Sequence, residues 1–283
     1  MRASRLRADF RLRDGRTALG DVCCTAPLKL AKPFPVEGHP GGVLAIVMDV
    51  SPGLMDGDRY ELAWDIGPGS SLAVTTQSYA KVHPCPEGGA EQETRIFVGE
   101  GASLVYAPQP AMLYADASFR TRTRVELAPD ASLLLLDTLC AGRVHYGAGE
   151  AFRYRLYESE VVITRRGRVA AASRMRLAPG EQELGLPGVF ESDTHVGKLY
   201  GLGPFAAGPL AETLLAEADR AERGARVRCG VSPLAEGGVA AVVLGASAWE
   251  VHGTLLRLGR AFAAFARETL PAACPPPAWP ADW

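Results

Sequence analysis

The chain has 283 residues, enough for one or two domains with a sizeable core. Apolar residues make up 47% and charged residues 22%, an ordinary globular composition, and the formal net charge of −2 argues against a nucleic-acid binder, which needs a clustered basic surface. Apolar runs such as Val43 to Met48 and Leu133 to Leu136 fall far short of the roughly 20 residues that span a bilayer, so no membrane is expected as a partner.

The amino end is rich in arginine (Arg2, Arg5, Arg7, Arg11, Arg13, Arg16) and no apolar stretch follows it, so it does not read as a signal peptide. Leu6, Ala8, Phe10 and Leu12 alternate with Arg7, Asp9, Arg11 and Arg13, the period-2 pattern of a half-buried strand. Short alternating segments broken by glycine and proline turns continue from residue 5 to about Leu177. This half carries an internal echo. Ile66-Gly67-Pro68-Gly69-Ser70-Ser71-Leu72 recurs as Val98-Gly99-Glu100-Gly101-Ala102-Ser103-Leu104, and more loosely as Leu127-Ala128-Pro129-Asp130-Ala131-Ser132-Leu133, at starts 32 and then 29 residues apart. Each copy reads as a strand end, a tight turn with glycine or aspartate where positive φ is needed, and a new strand. Strand pairs at a near-constant repeat suggest layers stacked as in a β-solenoid; a β-sandwich with similar turns gives the same signal. The repeated Gly-x-Gly is not a dinucleotide fingerprint, because a strand rather than a helix follows each time.

Phe152, Tyr154 and Leu156 alternate with Arg153 and Arg155 as a further strand, and Val161-Val162-Ile163-Thr164 turns at Arg166-Gly167 into Val169, a hairpin. From about Pro204 two helices are expected. Gly208-Pro209 opens the first, Leu210, Leu214 and Leu215 form its apolar face, and Gly224 ends it. The second starts at Ser247 with Glu250 three residues on, a capping box, and its stripe is Val251, Leu255, Leu258, Phe262 and Phe265. Pro271 stops it. Packing on the sheets is the default use of that stripe, an interface with a partner the other. The tail Pro275-Pro276-Pro277-Ala278-Trp279-Pro280 is expected to be flexible or partner-bound. The whole reads as one domain, 1–283, strand-rich over 5–177, helix-containing over 204–270, with a tail from 271.

The short signatures of zinc proteases, nucleophile elbows, phosphate loops and C-x-x-C pairs are missing. Asp56 and Asp58 flank Gly57, a spacing that presents two carboxylates for acid–base work or a cation; turn chemistry, in which aspartates cap their own backbone, is favoured. Six cysteines, Cys23, Cys24, Cys85, Cys140, Cys229 and Cys274, are scattered and read as reduced thiols. His83-Pro84-Cys85, and His145 near Cys140, offer nitrogen and sulfur donors to nickel or zinc, but a stable site needs three or four converging ligands and no cluster supplies them. Gly142-Arg143-x-x-x-Gly147-x-Gly149-Glu150-x-Phe152 places an arginine and a glutamate where a charge-assisted hydrogen bond can hold a loop.

Taken in order, several pieces resemble the urease accessory protein family UreD/UreH across almost the whole chain. They are Gly15-Arg16-Thr17, Pro27-Leu28-Lys29-Leu30, Gly53-Leu54-x-x-Gly57-Asp58, Thr75-Thr76-Gln77-x-x-x-Lys81-Val82, Tyr106-x-Pro108-x-Pro110, and Gly142-Arg143 with Gly149-Glu150-x-Phe152. The resemblance implies a mainly β fold of stacked sheets, right-handed and β-helix-like, with about two helices in the carboxyl-terminal third. It implies a cytoplasmic scaffold without catalytic residues that joins a UreF-type accessory protein and a UreG-type GTPase, docks on urease apoprotein, and assists nickel insertion, with transient nickel and no tightly bound cofactor; a homodimer within that complex fits the same picture. On that reading Asp58, Gln77, Lys81, Arg143 and Glu150 line or brace an internal passage for the ion, or merely pin turns. The competing readings are a β-solenoid enzyme acting on a polysaccharide, with Asp56 and Asp58 in a groove, and a scaffold that handles no metal. Only 7% of the chain is aromatic, which disfavours a carbohydrate cleft.

Overall fold

The computed structural model describes residues 3–270 and 275–280. Two hairpin strands, β1 (Ala3–Arg13) and β2 (Arg16–Cys24), open the chain, followed by the short β3 (Leu28–Leu30) and β4 (Phe34–Pro35). Leu6, Ala8 and Phe10 of β1 are buried and Arg7 is exposed, as the alternation requires; Leu12 departs from it and is 48% exposed, since the strand has by then run past the core.

The chain then steps back and forth between two sheets. β6 (Arg59–Ile66), β9 (Ala90–Val98), β12 (Ser118–Leu127) and β14 (Leu156–Arg165) lie with β1 and β2 in the first sheet, and β5 (Val43–Asp49), β7 (Ser71–Thr76), β10 (Ser103–Tyr106) and β13 (Ser132–Cys140) in the second, which also holds the short β8 (Ala80–Val82) and β11 (Ala111–Leu113). Apart from the β1–β2 hairpin, these strands pair in parallel within each sheet. The sequence echo is this pairing read along the chain. Ile66, Val98 and Leu127 stand side by side in one sheet, and Leu72, Leu104 and Leu133 in the other. The 32- and 29-residue spacings are thus the lengths of chain needed to return to the same sheet. Gly69 and Gly101 take positive φ in the first two turns, whereas Asp130, at the equivalent place in the third, does not.

The first sheet is closed at one edge by β15 (Arg168–Leu177), antiparallel to β14 through the expected turn at Arg166-Gly167, both with positive φ. The second sheet is extended by β16 (His195–Leu202), β17 (Val227–Pro233) and β18 (Val239–Gly245), all antiparallel. These three strands were not anticipated from the sequence. β16 is buried on both faces and shows no alternation, the pattern of an interior strand. Residues 152–155, expected as strand, are a turn instead: Phe152 takes φ 57° and its ring packs edge-on against Phe190, 5.1 Å away.

Helices α1 (Ala207–Gly224) and α2 (Ala248–Thr269) cover the far side of the second sheet. Leu210 and Leu214 of α1 are buried with Ala218 and Ala221; Leu215, assigned to that face from its sequence position, is 47% exposed, because it sits one residue beyond the i, i+4 row. The stripe of α2 is core, with Val251, Leu255, Leu258 and Phe262 fully buried and Phe265 partly so. Its capping box does not form. The Ser247 side chain makes no cap hydrogen bond, and Glu250 accepts instead from the Arg226 backbone N–H. Pro271, the expected stop, and Cys274 lie outside the described residues. The tail is docked rather than loose. Ala278 and Trp279 are buried, Trp279 sits against α2 at Gly259, and the Pro276 carbonyl accepts hydrogen bonds from Ser71 Oγ and Ser103 Oγ and lies 2.7 Å from His39 Nε2.

Two apolar cores result, one between the sheets and one beneath the helices. The outer face of the first sheet carries a ladder of arginines and glutamates, among them Arg124–Glu93 at 3.2 Å and Arg120–Glu158 at 2.9 Å. Exposed pairs of this kind contribute at most about 1 kcal/mol each, and their main effect is to keep that face wet.

Candidate functional site: a polar cavity between the sheets

Among apolar side chains between the two sheets lies a cavity of about 120 Å³. Two of the sequence motifs meet on its wall. Ser51 to Leu54 forms one side, and Thr76 to Lys81 another, so that Gly53, Gln77 and Lys81 all line it. The Gly-Leu pair is what clips these segments together. Gly53 has φ +136°, and a Cβ there would collide with the Lys81 carbonyl oxygen. The Leu54 N–H donates to that same carbonyl at 2.8 Å, and the His83 N–H donates to the Leu54 carbonyl at 2.9 Å. No other residue fits such a close approach at positive φ.

Two carboxylates reach the cavity, both missed by the motif reading. Asp49 is held tightly: its Oδ1 accepts from the Ser51 N–H and Oγ at 2.9 and 2.6 Å, and its Oδ2 from the Tyr60 hydroxyl at 2.8 Å. Burial pushes the Tyr60 phenol well above its ordinary value, which keeps it protonated and donating. Asp137 is less encumbered. It accepts one hydrogen bond from Ser159 Oγ at 3.2 Å, and Lys198 Nζ lies 3.7 Å from its Oδ2. Tyr106 and Tyr157 also line the cavity; burial raises the Tyr106 phenol to about 12 and holds the Tyr157 phenol well above its ordinary value. The available signal for Asp137 and Lys198 was a lone charge inside an apolar run, Leu133-Leu134-Leu135-Leu136-Asp137 and Val196-Gly197-Lys198-Leu199.

The remaining motif residues serve turns and loops. Thr75 is buried and donates to the Ala107 carbonyl at 2.8 Å. Gly57 turns at positive φ and its N–H donates to the Gly89 carbonyl, while Asp58 Oδ2 accepts from the Met55 N–H at 2.8 Å. Asp56 accepts from the backbone N–H groups of Glu87 and Gly88. The favoured turn reading of Asp56 and Asp58 therefore describes their contacts. Arg143 makes a two-pronged contact with Glu150, Nε to Oε2 at 2.7 Å, with its guanidinium 4.0 Å from the Tyr114 ring centre and 3.8 Å from that of Tyr146. The Arg143 hydrogen bond holds the Glu150 carboxyl below its ordinary range. Gly142, at φ +133°, passes so close to the Glu150 carbonyl that a Cβ would strike it, and the Gly149 N–H donates to the Tyr146 carbonyl. Asp58, Arg143 and Glu150 are thus not among the residues that line the cavity; they fix loops of their own.

The three metal-ligand candidates do not converge. His83 Nε2 lies 3.1 Å from the Pro52 carbonyl, Cys85 is buried with its thiol donating to the His83 and Ser118 carbonyls, and His145 is exposed. Cys140 faces His195 across β13 and β16, where burial lifts the thiol to about 12 and lowers the imidazole to about 4. Among the described residues no group of three or more His, Cys, Asp or Glu stands together as a metal set. Cys23, Cys24, Cys85, Cys140 and Cys229 are free thiols, and no helix among the described residues is long and apolar enough to cross a membrane.

Residues 2–280 match the family described as UreD urease accessory protein. The chain is 37% identical to the urease accessory protein UreD of Acetivibrio thermocellus over 192 residues, covering 68% of this chain and 72% of the relative. It is 35% identical to the UreD of Anaeromyxobacter sp. over 243 residues, 84% of this chain and 78% of that one. The urease accessory protein UreH of Helicobacter pylori is 36% identical over 152 residues, 53% of this chain and 55% of the relative.

Proposed function

From its membership of the UreD urease accessory protein family, we propose that this chain serves urease maturation as a cytoplasmic scaffold, holding a UreF-type accessory protein and a UreG-type GTPase to urease apoprotein while nickel is inserted. It performs no chemistry of its own on this reading. The parallel strands act as the coils of a right-handed β-helix-like stack, rigid enough to keep partners in register, and a pair of copies within that complex fits the same arrangement.

The cavity is the part of this scaffold that handles nickel, as cargo in transit rather than as a resident cofactor. The observation that carries this is the meeting of Gly53, Gln77 and Lys81 with the carboxylates of Asp49 and Asp137 around one cavity between the sheets. Oxygen donors of this kind accept a hard or borderline divalent cation, and too few of them converge to trap it. Transit needs binding that is favourable enough to enter and weak enough to leave. Asp58 and Glu150 act at one remove, by holding the 55–58 turn and the 143–150 loop.

Urease activation reconstituted from purified components tests this. Asp137→Asn, which removes charge with little change of shape, should lower activation at least tenfold at a temperature at which circular dichroism shows the variant still folded, since it also leaves the buried Lys198 without its counter-charge. Full activation by Asp137→Asn combined with Asp49→Asn would remove the cavity from the path of the ion.

A further inference from the structure

The pair Asp137–Lys198 differs from the other ion pairs among the described residues in the burial of its cation: Arg124–Glu160 at 3.8 Å and Arg11–Asp9 at 3.6 Å are as loose, but those arginines are 54% and 39% exposed. Arg143–Glu150, Arg11–Asp65 and Arg120–Glu158 are hydrogen-bonded pairs, the last two at 2.9 to 3.0 Å. Lys198 Nζ stops 3.7 Å from Asp137 Oδ2, beyond the 2.7–2.9 Å of a charge-assisted hydrogen bond. Among the described residues that ammonium makes no hydrogen bond at all, although the side chain is only 8% exposed. A buried ammonium with all three donors unused is costly, and a lysine kept there asks for a reason.

The two residues face each other in register across the antiparallel pair β13–β16, and their strand neighbours Leu135, Leu139, Val196 and Tyr200 all belong to the core between the sheets. Both therefore point inward. Asp137 lines the cavity, with one of its oxygens engaged only at 3.2 Å by Ser159. Asp49, by contrast, has both oxygens taken up by Ser51 and Tyr60. Of the two cavity carboxylates, Asp137 is the one with coordination capacity to spare, and it is the one provided with a loose cation on a four-carbon tether.

We propose that Lys198 is a displaceable counter-charge: it balances Asp137 while the cavity is empty, and a divalent cation arriving at Asp137 pushes its ammonium aside. This rests on the reading of the cavity as an ion passage and adds its regulation. The ammonium keeps the empty cavity close to charge balance, and it weakens the hold of Asp137 on the ion, so that the cation is handed on rather than stored. A hydrogen-bonded arginine fork in its place would close the carboxylate, and a neutral side chain would let the ion settle.

The test is nickel binding to the purified full chain by calorimetry, with nickel sulfate as titrant, for wild type, Lys198→Met, Asp137→Asn and the double variant. Lys198→Met should bind at least tenfold more tightly than wild type, and Asp137→Asn in the Lys198→Met background should abolish the gain. Wild type supplies a second measurement should the methionine variant fold poorly: the Lys198 side-chain nitrogen resonance should broaden on adding nickel, and should not in Asp137→Asn. Equal or weaker binding by a folded Lys198→Met, or a Lys198 resonance indifferent to nickel, overturns the counter-charge role. If Asp137→Asn still blocks urease activation in that case, the passage reading survives; if Asp137→Asn changes neither nickel binding nor activation, both fall.

Discussion

Substitution of Gly201 by alanine probes how α2 is seated on the strand that carries Lys198. A Cβ at Gly201 would stand 2.7 Å from two ring carbons of Phe262, well inside van der Waals contact. That ring cannot swing clear: Phe262 is fully buried and held edge-on by Phe205 at a centroid distance of 5.6 Å. Overpacking of this kind costs about 1–3 kcal/mol, and replacing a strand glycine by alanine returns roughly 0.5–1 kcal/mol, so a net loss of about 1–2 kcal/mol is expected. Urea unfolding followed by circular dichroism should show a lower midpoint with an unchanged slope. Phe262→Leu in the Gly201→Ala background should cost less than the sum of the two single changes, since the smaller side chain makes room for the new methyl group. Wild-type stability for Gly201→Ala, or strict additivity in the pair, would refute the claim that glycine is there to admit the helix.

Trp279→Ala tests the docked tail. A buried tryptophan removed from a packed slot costs about 3–5 kcal/mol, whereas a loose tail would register nothing, so the thermal midpoint separates the two outcomes. His195 supplies a pH dependence. Burial lowers its imidazole from 6.5 to about 4. Between those values the unfolded chain binds a proton that the folded chain refuses, so stability falls as pH drops from about 6.5 toward 4, by on the order of 2–3 kcal/mol. His195→Gln should flatten that part of the stability–pH curve, and an unchanged slope would show that the imidazole takes up its proton in the fold as readily as in the unfolded chain.

The strand-rich half of the molecule was readable because its signals are local. Period-2 alternation in β1 and β12 follows from one wet face, and the Gly67-Pro68-Gly69 echo follows from chain returning to the same two sheets. The carboxyl-terminal strands were opaque for the opposite reason. β16 is covered on both sides, so neither face writes polar residues into the sequence, and the run His195 to Leu202 gives no period. Propensity misled at the helix ends, where Glu250 found a backbone partner in another segment rather than its own cap. Composition misled at the tail, because three prolines in a row suggest a solvated linker, and only the three-dimensional fold brings Ser71 and Ser103 beneath the Pro276 carbonyl. For the site, the motifs led to Gly53, Gln77 and Lys81 on the wall, but also to Asp58, Arg143 and Glu150, whose work is to hold loops. Short ordered motifs mark backbone that must turn or touch. The cavity carboxylates sit in plain strand, where nothing in the backbone singles them out.

That division bears on how one strand can serve two ends. Along β16, Gly197 and Gly201 face α2, where any side chain would meet Leu255 or Phe262, while Lys198 and Tyr200 face the space between the sheets. The period of two puts these demands on alternate residues, so the packing of the helix outside and the charge inside can be set separately. They are still mechanically joined. A shift of β16 of a few tenths of an ångström to relieve a crowded Gly201 would move Lys198 relative to Asp137, because the same backbone carries both and interiors transmit strain. The outward glycines admit α2 on the same strand whose pairing with β13 sets Lys198 opposite Asp137.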